Sequence, residues 1–124
     1  MLLAEELTAR IIGLAIEVHR QTGPGLLESV YEGCLCHEFE HARIKFSRQV
    51  AVPVIYKGLQ LKEGFRADIL VEQQVIIEIK AVAAIVAAHE SQMLTYLRMS
   101  GLRLGLLLNF HAPRLKDSLR RFIV

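Results

Sequence analysis

The chain opens with apolar residues at helical spacing. Leu3, Leu7, Ile11, Leu14, Ala15 and Val18 fall on one stripe, which predicts an amphipathic helix over residues 2–20. Thr22-Gly23-Pro24-Gly25 ends it. A second helix is predicted over 26–42, with Leu27, Val30, Tyr31, Cys34, Leu35 and Phe39 on one broad face. The period then changes. Residues 49–56 are β-branched and apolar, Lys57-Gly58 is a turn signal, and an extended run restarts at Leu59. Residues 65–71 and 75–81 read as two further strands separated by Glu72-Gln73-Gln74. Residues 89–99 read as a helix stopped by Ser100-Gly101, and 103–109 as an apolar strand buried on both faces. The tail, 115–124, sets Leu115, Leu119 and Phe122 among Arg114, Lys116, Arg120 and Arg121, as a short basic helix or strand over the core would. After the first helix the order is α, β, β, β, α, β, which argues for an α/β protein with a mixed sheet flanked by helices.

Composition narrows this picture without changing it. At 124 residues, with 52% hydrophobic and 23% charged positions, the chain suits a single domain over 1–124, and no linker or repeat divides it. The net charge of +2 is compatible with a polyanionic partner but does not call for one. Glu5 and Glu6 interrupt the start, and the longest near-apolar stretch, 81–88, is far too short for a membrane span. Cys34 and Cys36 lie two apart on a helix and so point to different faces; they suit a reduced, cytoplasmic protein.

The chemistry concentrates in the strands around Gln73. If their turn is centred there, Asp68 falls opposite Glu78, and Lys80 lies one step further along the same face. Opposed carboxylates repel unless a positive charge lies between them. A hard divalent cation such as Mg²⁺ fits that gap, because it takes one or two carboxylates and keeps its waters. Lys80 would then meet a phosphate or the attacking water, so that metal and ammonium both oppose charge developing on a phosphodiester. Two further elements stand nearby in sequence. Glu28 opens the second helix, where the helix dipole alone would favour an acid. Gln92 and Tyr96 lie four apart on one helix face.

Glu28 on a helix, Asp68 on a strand, Glu78-x-Lys80 on the next and Gln92-x-x-x-Tyr96 on the following helix resemble, in that order, the PD-(D/E)xK nuclease superfamily. The Gln-x-x-x-Tyr element resembles its RecB-like branch. Gly25-Leu26-Leu27-Glu28-Ser29-Val30-Tyr31 is similar to the signature of the GxxExxY group within it, as are Val18-His19-Arg20, Tyr56-Lys57-Gly58 and Gly105-Leu106-Leu107-Leu108-Asn109-Phe110. The resemblance implies a restriction-endonuclease-like core and a Mg²⁺- or Mn²⁺-dependent nuclease acting on nucleic acid, with DNA first, and it is compatible with a homodimer. It implies Asp68, Glu78 and the Ile79 carbonyl as metal ligands, with Glu28 as a further acidic ligand. By the same resemblance Lys80 positions the nucleophilic water, Gln92 orients Lys80 or a water, and Tyr96 supports the site. A catalytically inactive nucleic-acid-binding module on the same fold is the alternative.

One other motif competes. His37-Glu38-Phe39-Glu40-His41 is a literal H-E-x-x-H, the spacing of a zinc peptidase. Ser47 stands where a metzincin-like third ligand would fall, and the wheel puts the two histidines about 180° from Glu28. The pair therefore reads as a surface feature separate from the acidic strands.

Overall fold

The computed structural model describes residues 4–124, so Leu2 and Leu3 of the predicted first helix lie outside the described residues. Three helices and five strands follow in the order α1 (Ala4–Thr22), α2 (Glu28–His41), β1 (Phe46–Tyr56), β2 (Leu59–Val71), β3 (Val75–Lys80), α3 (Ala87–Ser100), β4 (Leu104–Asn109) and β5 (Arg120–Ile123). The strands form one sheet in chain order, antiparallel except for the parallel pair β3–β4 that α3 connects. No described helix is long and apolar enough to cross a membrane.

Two apolar layers hold the sheet. On one side Leu7, Ile11, Ala15 and Val18 of α1 and Tyr31, Leu35 and Phe39 of α2 bury against Ile69, Ile77, Ile79, Leu106 and Leu108. On the other, Met93 and Leu97 of α3 cover Val52, Ala67, Leu70, Ile76 and Leu107. β3 and β4 lie between both layers, which is why their sequences are nearly all apolar.

The structure departs from the predicted pattern in three places. The buried stripe of α2 carries Glu32 and Cys36 in place of Leu27 and Val30, both of which are exposed. Glu32 goes inside because Arg48 meets its carboxylate at 2.9 Å, so an ion pair occupies a position that hydrophobicity would not select. β2 runs unbroken from Leu59 through the polar Lys62-Glu63-Gly64. Gly64 makes this possible, because a Cβ there would stand 2.3 Å from Val54 Cγ2, where β1 shifts register between Val52 and Val54. The tail resolves into a 3₁₀ turn at Leu115–Asp117 and an edge strand, β5, paired with β4.

A fourth feature bears directly on function. Along β1 and β2 side chains should alternate between the two layers. Phe46 nevertheless packs towards α1 and α2 while Val50 packs towards α3, and Ala67 faces α3 while Ile69 faces away. Both strands change sides at one opposed pair, Gln49 and Asp68, and Gln49 has a left-handed φ of 50°. A non-glycine residue held there in mid-strand is strained backbone, of the kind that clusters at functional sites.

Candidate active site at the end of the third strand

The turn between β2 and β3 is tight, with Glu72 and Gln73 both left-handed at φ 52° and 57°, and it fixes the pairing Val71–Val75, Leu70–Ile76 and Ile69–Ile77. That register is symmetric about Gln73. The ladder ends at Ile69–Ile77, one step before Asp68 and Glu78. At the residue where β2 changes sides, the Asp68 carboxylate turns edgewise and its Oδ2 accepts the Ile79 amide at 2.8 Å. A side chain thus replaces the backbone carbonyl that would have continued the ladder.

The same edge of β3 holds a second carboxylate. Glu28, in the first turn of α2, accepts the Ala81 amide at 3.0 Å. The Lys80 carbonyl accepts from Phe110 N–H on the β4 side. Backbone groups alternate along a strand, so the Ile79 carbonyl turns to the β2 edge, between the two carboxylates.

Glu78 alternates with Ile77 and Ile79 and therefore faces α3. It is buried, and its Oε1 has no hydrogen-bond partner. Burial first, and the Asp68 charge second, push its carboxyl up to about 8. Tyr96 comes from α3 and stacks on Phe65 at 3.8 Å, with the rings 4° from parallel. Burial, then the charges of Glu78 and Asp68, raise its phenol. Lys80 is half-buried on the Glu78 face, and among the described residues its ammonium has no hydrogen bond or ion pair.

A buried acceptor without a donor, beside a second carboxylate and a main-chain carbonyl, is a donor set that fits a hard divalent cation. Among the described residues no three Asp, Glu, His or Cys side chains form a ready-made cage. The set here is two carboxylates and a carbonyl, with room for water, which is the habit of Mg²⁺.

Asp68, Glu78 and Tyr96 therefore meet beside Ile79 and Lys80, and Glu28 reaches the same strand edge at Ala81. Gln92 is exposed on α3, one turn before Tyr96, and makes no hydrogen bond among the described residues. His37 and His41 lie exposed further along α2 with ring centroids 4.6 Å apart, and no third ligand stands beside them among the described residues. His89 caps α3, its Nδ1 accepting from Val86 N–H at 3.1 Å. Cys36 is buried, which pushes its thiol up to about 11, as expected for a small core residue.

Four residues that support the site escaped sequence reasoning. Glu32 binds Arg48 and accepts from Gln49 Nε2 at 2.8 Å, and the same amide reaches Asp68 Oδ1 at 3.4 Å. Asn109, buried at the end of β4, accepts from Val82 N–H and donates to Val82 C=O, clamping the chain as it leaves Lys80. The i,i+4 spacing of Glu28 and Glu32 was a usable signal, as was a lone amide closing an apolar strand. Nothing in residue type marks Gln49 as left-handed.

The motif Gly25–Tyr31 now has a structural account. Tyr31 OH donates to Gly23 C=O at 2.6 Å and accepts from Leu26 N–H at 3.1 Å, while its ring stacks on Phe110 at 4.5 Å. The tyrosine fixes the loop whose end aims Glu28 at β3.

Concavities lie elsewhere too: about 440 Å³ beside Gln73, Arg103 and Ile123, and about 410 Å³ beside His19, Arg114 and Lys116. No curated protein and no solved structure matches the chain. A family model described as the PD-(D/E)XK nuclease superfamily matches residues 5–122. Members of that superfamily are generally nucleases that use divalent metal ions. With acids on β2 and β3, the lysine two residues on and a mixed sheet between helices, the chain belongs to the PD-(D/E)XK nuclease superfamily.

Proposed function

We propose that residues 1–124 act as one Mg²⁺- or Mn²⁺-dependent deoxyribonuclease domain, a cytoplasmic member of the GxxExxY group in the RecB-like branch. The observation that carries this reading is Glu78. A buried carboxylate whose Oε1 has no partner among the described residues, next to Asp68, is costly unless the site takes up positive charge. In this reading Asp68, Glu78 and the Ile79 carbonyl hold the ion, and Glu28 joins them directly or through water. The bound ion supplies positive charge against the phosphodiester and favours deprotonated water.

Lys80 then orients the water and stabilises the phosphate oxygens as charge grows on them. Its ammonium has no partner of its own among the described residues. Tyr96, fixed by its stack on Phe65, walls the Glu78 side, and Gln92 orients water above Lys80. A homodimer would present two such sites to two strands.

The test is cleavage of plasmid and oligonucleotide DNA with and without Mn²⁺. Wild-type protein nicks DNA only with metal. Lys80→Ala and Asp68→Ala lose at least about a hundredfold in rate, the scale set by removing one transition-state donor. Metal-independent nucleic-acid binding with no cleavage, unchanged by Lys80→Ala, would point instead to an inactive binding module.

A further inference from the structure

Beyond Ala67 the β1–β2 hairpin leaves the rest of the sheet, because β2 pairs with β3 only at residues 69–71. Residues 54–61 close it through a two-residue turn with Lys57 and Gly58 both left-handed. The tip is apolar and exposed: Ile55 57%, Tyr56 55%, Leu59 58% and Leu61 46%. Ile55 and Tyr56 are consecutive in a strand, so they point to opposite faces, and the tip is apolar on both sides. A partner lying flat on one face would leave the other wet. An apolar tip with two faces fits insertion between two flat layers.

Charge says what those layers belong to. Residues 45–66 carry Lys45, Arg48, Lys57, Lys62 and Arg66 against the single acid Glu63, a net of +4 where the whole chain carries +2. Arg48 is committed to Glu32, but Lys57 lies over the Tyr56 ring at 5.5 Å, its ammonium at the tip itself. Lys57 and Lys62 thus put positive charge on an element that is also apolar at its end. That combination is complementary to a polyanion built of stacked planar rings. The arm is joined to the candidate site by covalent backbone, since Asp68 lies nine residues along β2 from Leu59, about 30 Å at strand rise.

We propose that this hairpin is a nucleic-acid-engaging arm. Its lysines hold backbone phosphates, and Ile55, Tyr56 and Leu59 insert at an unstacked base step about nine phosphates from the bond at Asp68. The chain then prefers nucleic acid that already offers such a step, a fork, gap or frayed end, over intact duplex. The proposal rests on the nuclease reading for its purpose but not for its test.

The test is binding without catalysis. Fluorescence anisotropy in EDTA compares a labelled 30-base-pair blunt duplex with a fork of the same length. Wild-type protein is expected to bind the fork about tenfold tighter, and Tyr56→Ala to abolish that preference while leaving the melting temperature unchanged. Lys57→Glu and Lys62→Glu weaken binding to both and each lower the salt slope by about one. Equal binding of fork and duplex, or a Tyr56→Ala protein that still prefers the fork, overturns the proposal. So does light scattering that finds a wild-type dimer which Tyr56→Ala converts to monomer, since the tip would then be a self-association surface. Fork preference without metal-dependent cleavage sinks the nuclease reading and leaves the arm standing; cleavage without fork preference does the reverse.

Discussion

Glu78 carries a proton that few buried acids keep at neutral pH. Its carboxyl, at about 8 in the folded protein against 4.5 as a free side chain, binds a proton in the native state that the unfolded chain has already lost. Unfolding free energy therefore falls as pH rises from about 4.5 to 8 and is flat above that window. An ion at the site must displace that proton, so stabilisation by Mn²⁺ should grow from pH 6 to 8 and level off beyond. A thermal-shift series at pH 6, 7 and 8 measures this. Equal shifts across the series would remove Glu78 from the ligand set, and Glu78→Gln should erase both the metal shift and the pH slope. Gln49 gives a second prediction at this scale. Its amide joins Asp68 Oδ1 to the buried Glu32, and Gln49→Ala should weaken Mn²⁺ binding about tenfold by calorimetry, the low end for a residue that orients a ligand. Asp68 and Glu78 were legible from strand alternation and a turn centred on Gln73. The edgewise turn of Asp68 was not, because it depends on a backbone angle at Gln49 that no residue pattern encodes.

At the level of elements, the site is a meeting of ends. The first turn of α2 and the last residues of β3 and β4 are tied by Glu28 to Ala81, by Phe110 to Lys80 and by Asn109 to Val82. Asn109→Ala strands both polar groups of Val82 and the His111 amide in a part-buried turn, and should cost about 2–4 kcal/mol in urea unfolding. Asn109→Asp keeps the two acceptor bonds and should recover part of that loss. Helix α1 and strands β3 and β4 could be read directly, since their apolar periods are unopposed. The stripe of α2 could not, because Glu32 is stabilised inside by Arg48, a residue sixteen positions away whose arrival only the folded chain provides.

The whole molecule keeps its two motif sets apart. His37 follows Glu28 by nine residues on one helix, half a turn of the wheel away, so His37→Ala and His41→Ala should leave metal-dependent cleavage at the wild-type rate in a plasmid-nicking assay. A drop in rate would mean that the histidine pair belongs to the chemistry after all. The order of elements followed from sequence because each change of period is sharp. The tail was readable only as a helix or a strand, since four residues rich in arginine carry no clear strand pattern until β4 offers them a partner.

Asp68 holds the Ile79 amide of β3 and Glu28 the Ala81 amide just beyond it, so a descendant that had lost all catalysis would still be under pressure to keep both. Their persistence across relatives would say little about activity. The Lys80 ammonium holds nothing among the described residues. In a lineage no longer selected for hydrolysis it is free to drift, and its retention or loss beside unchanged acids is the mark by which working and retired copies of this domain could be told apart.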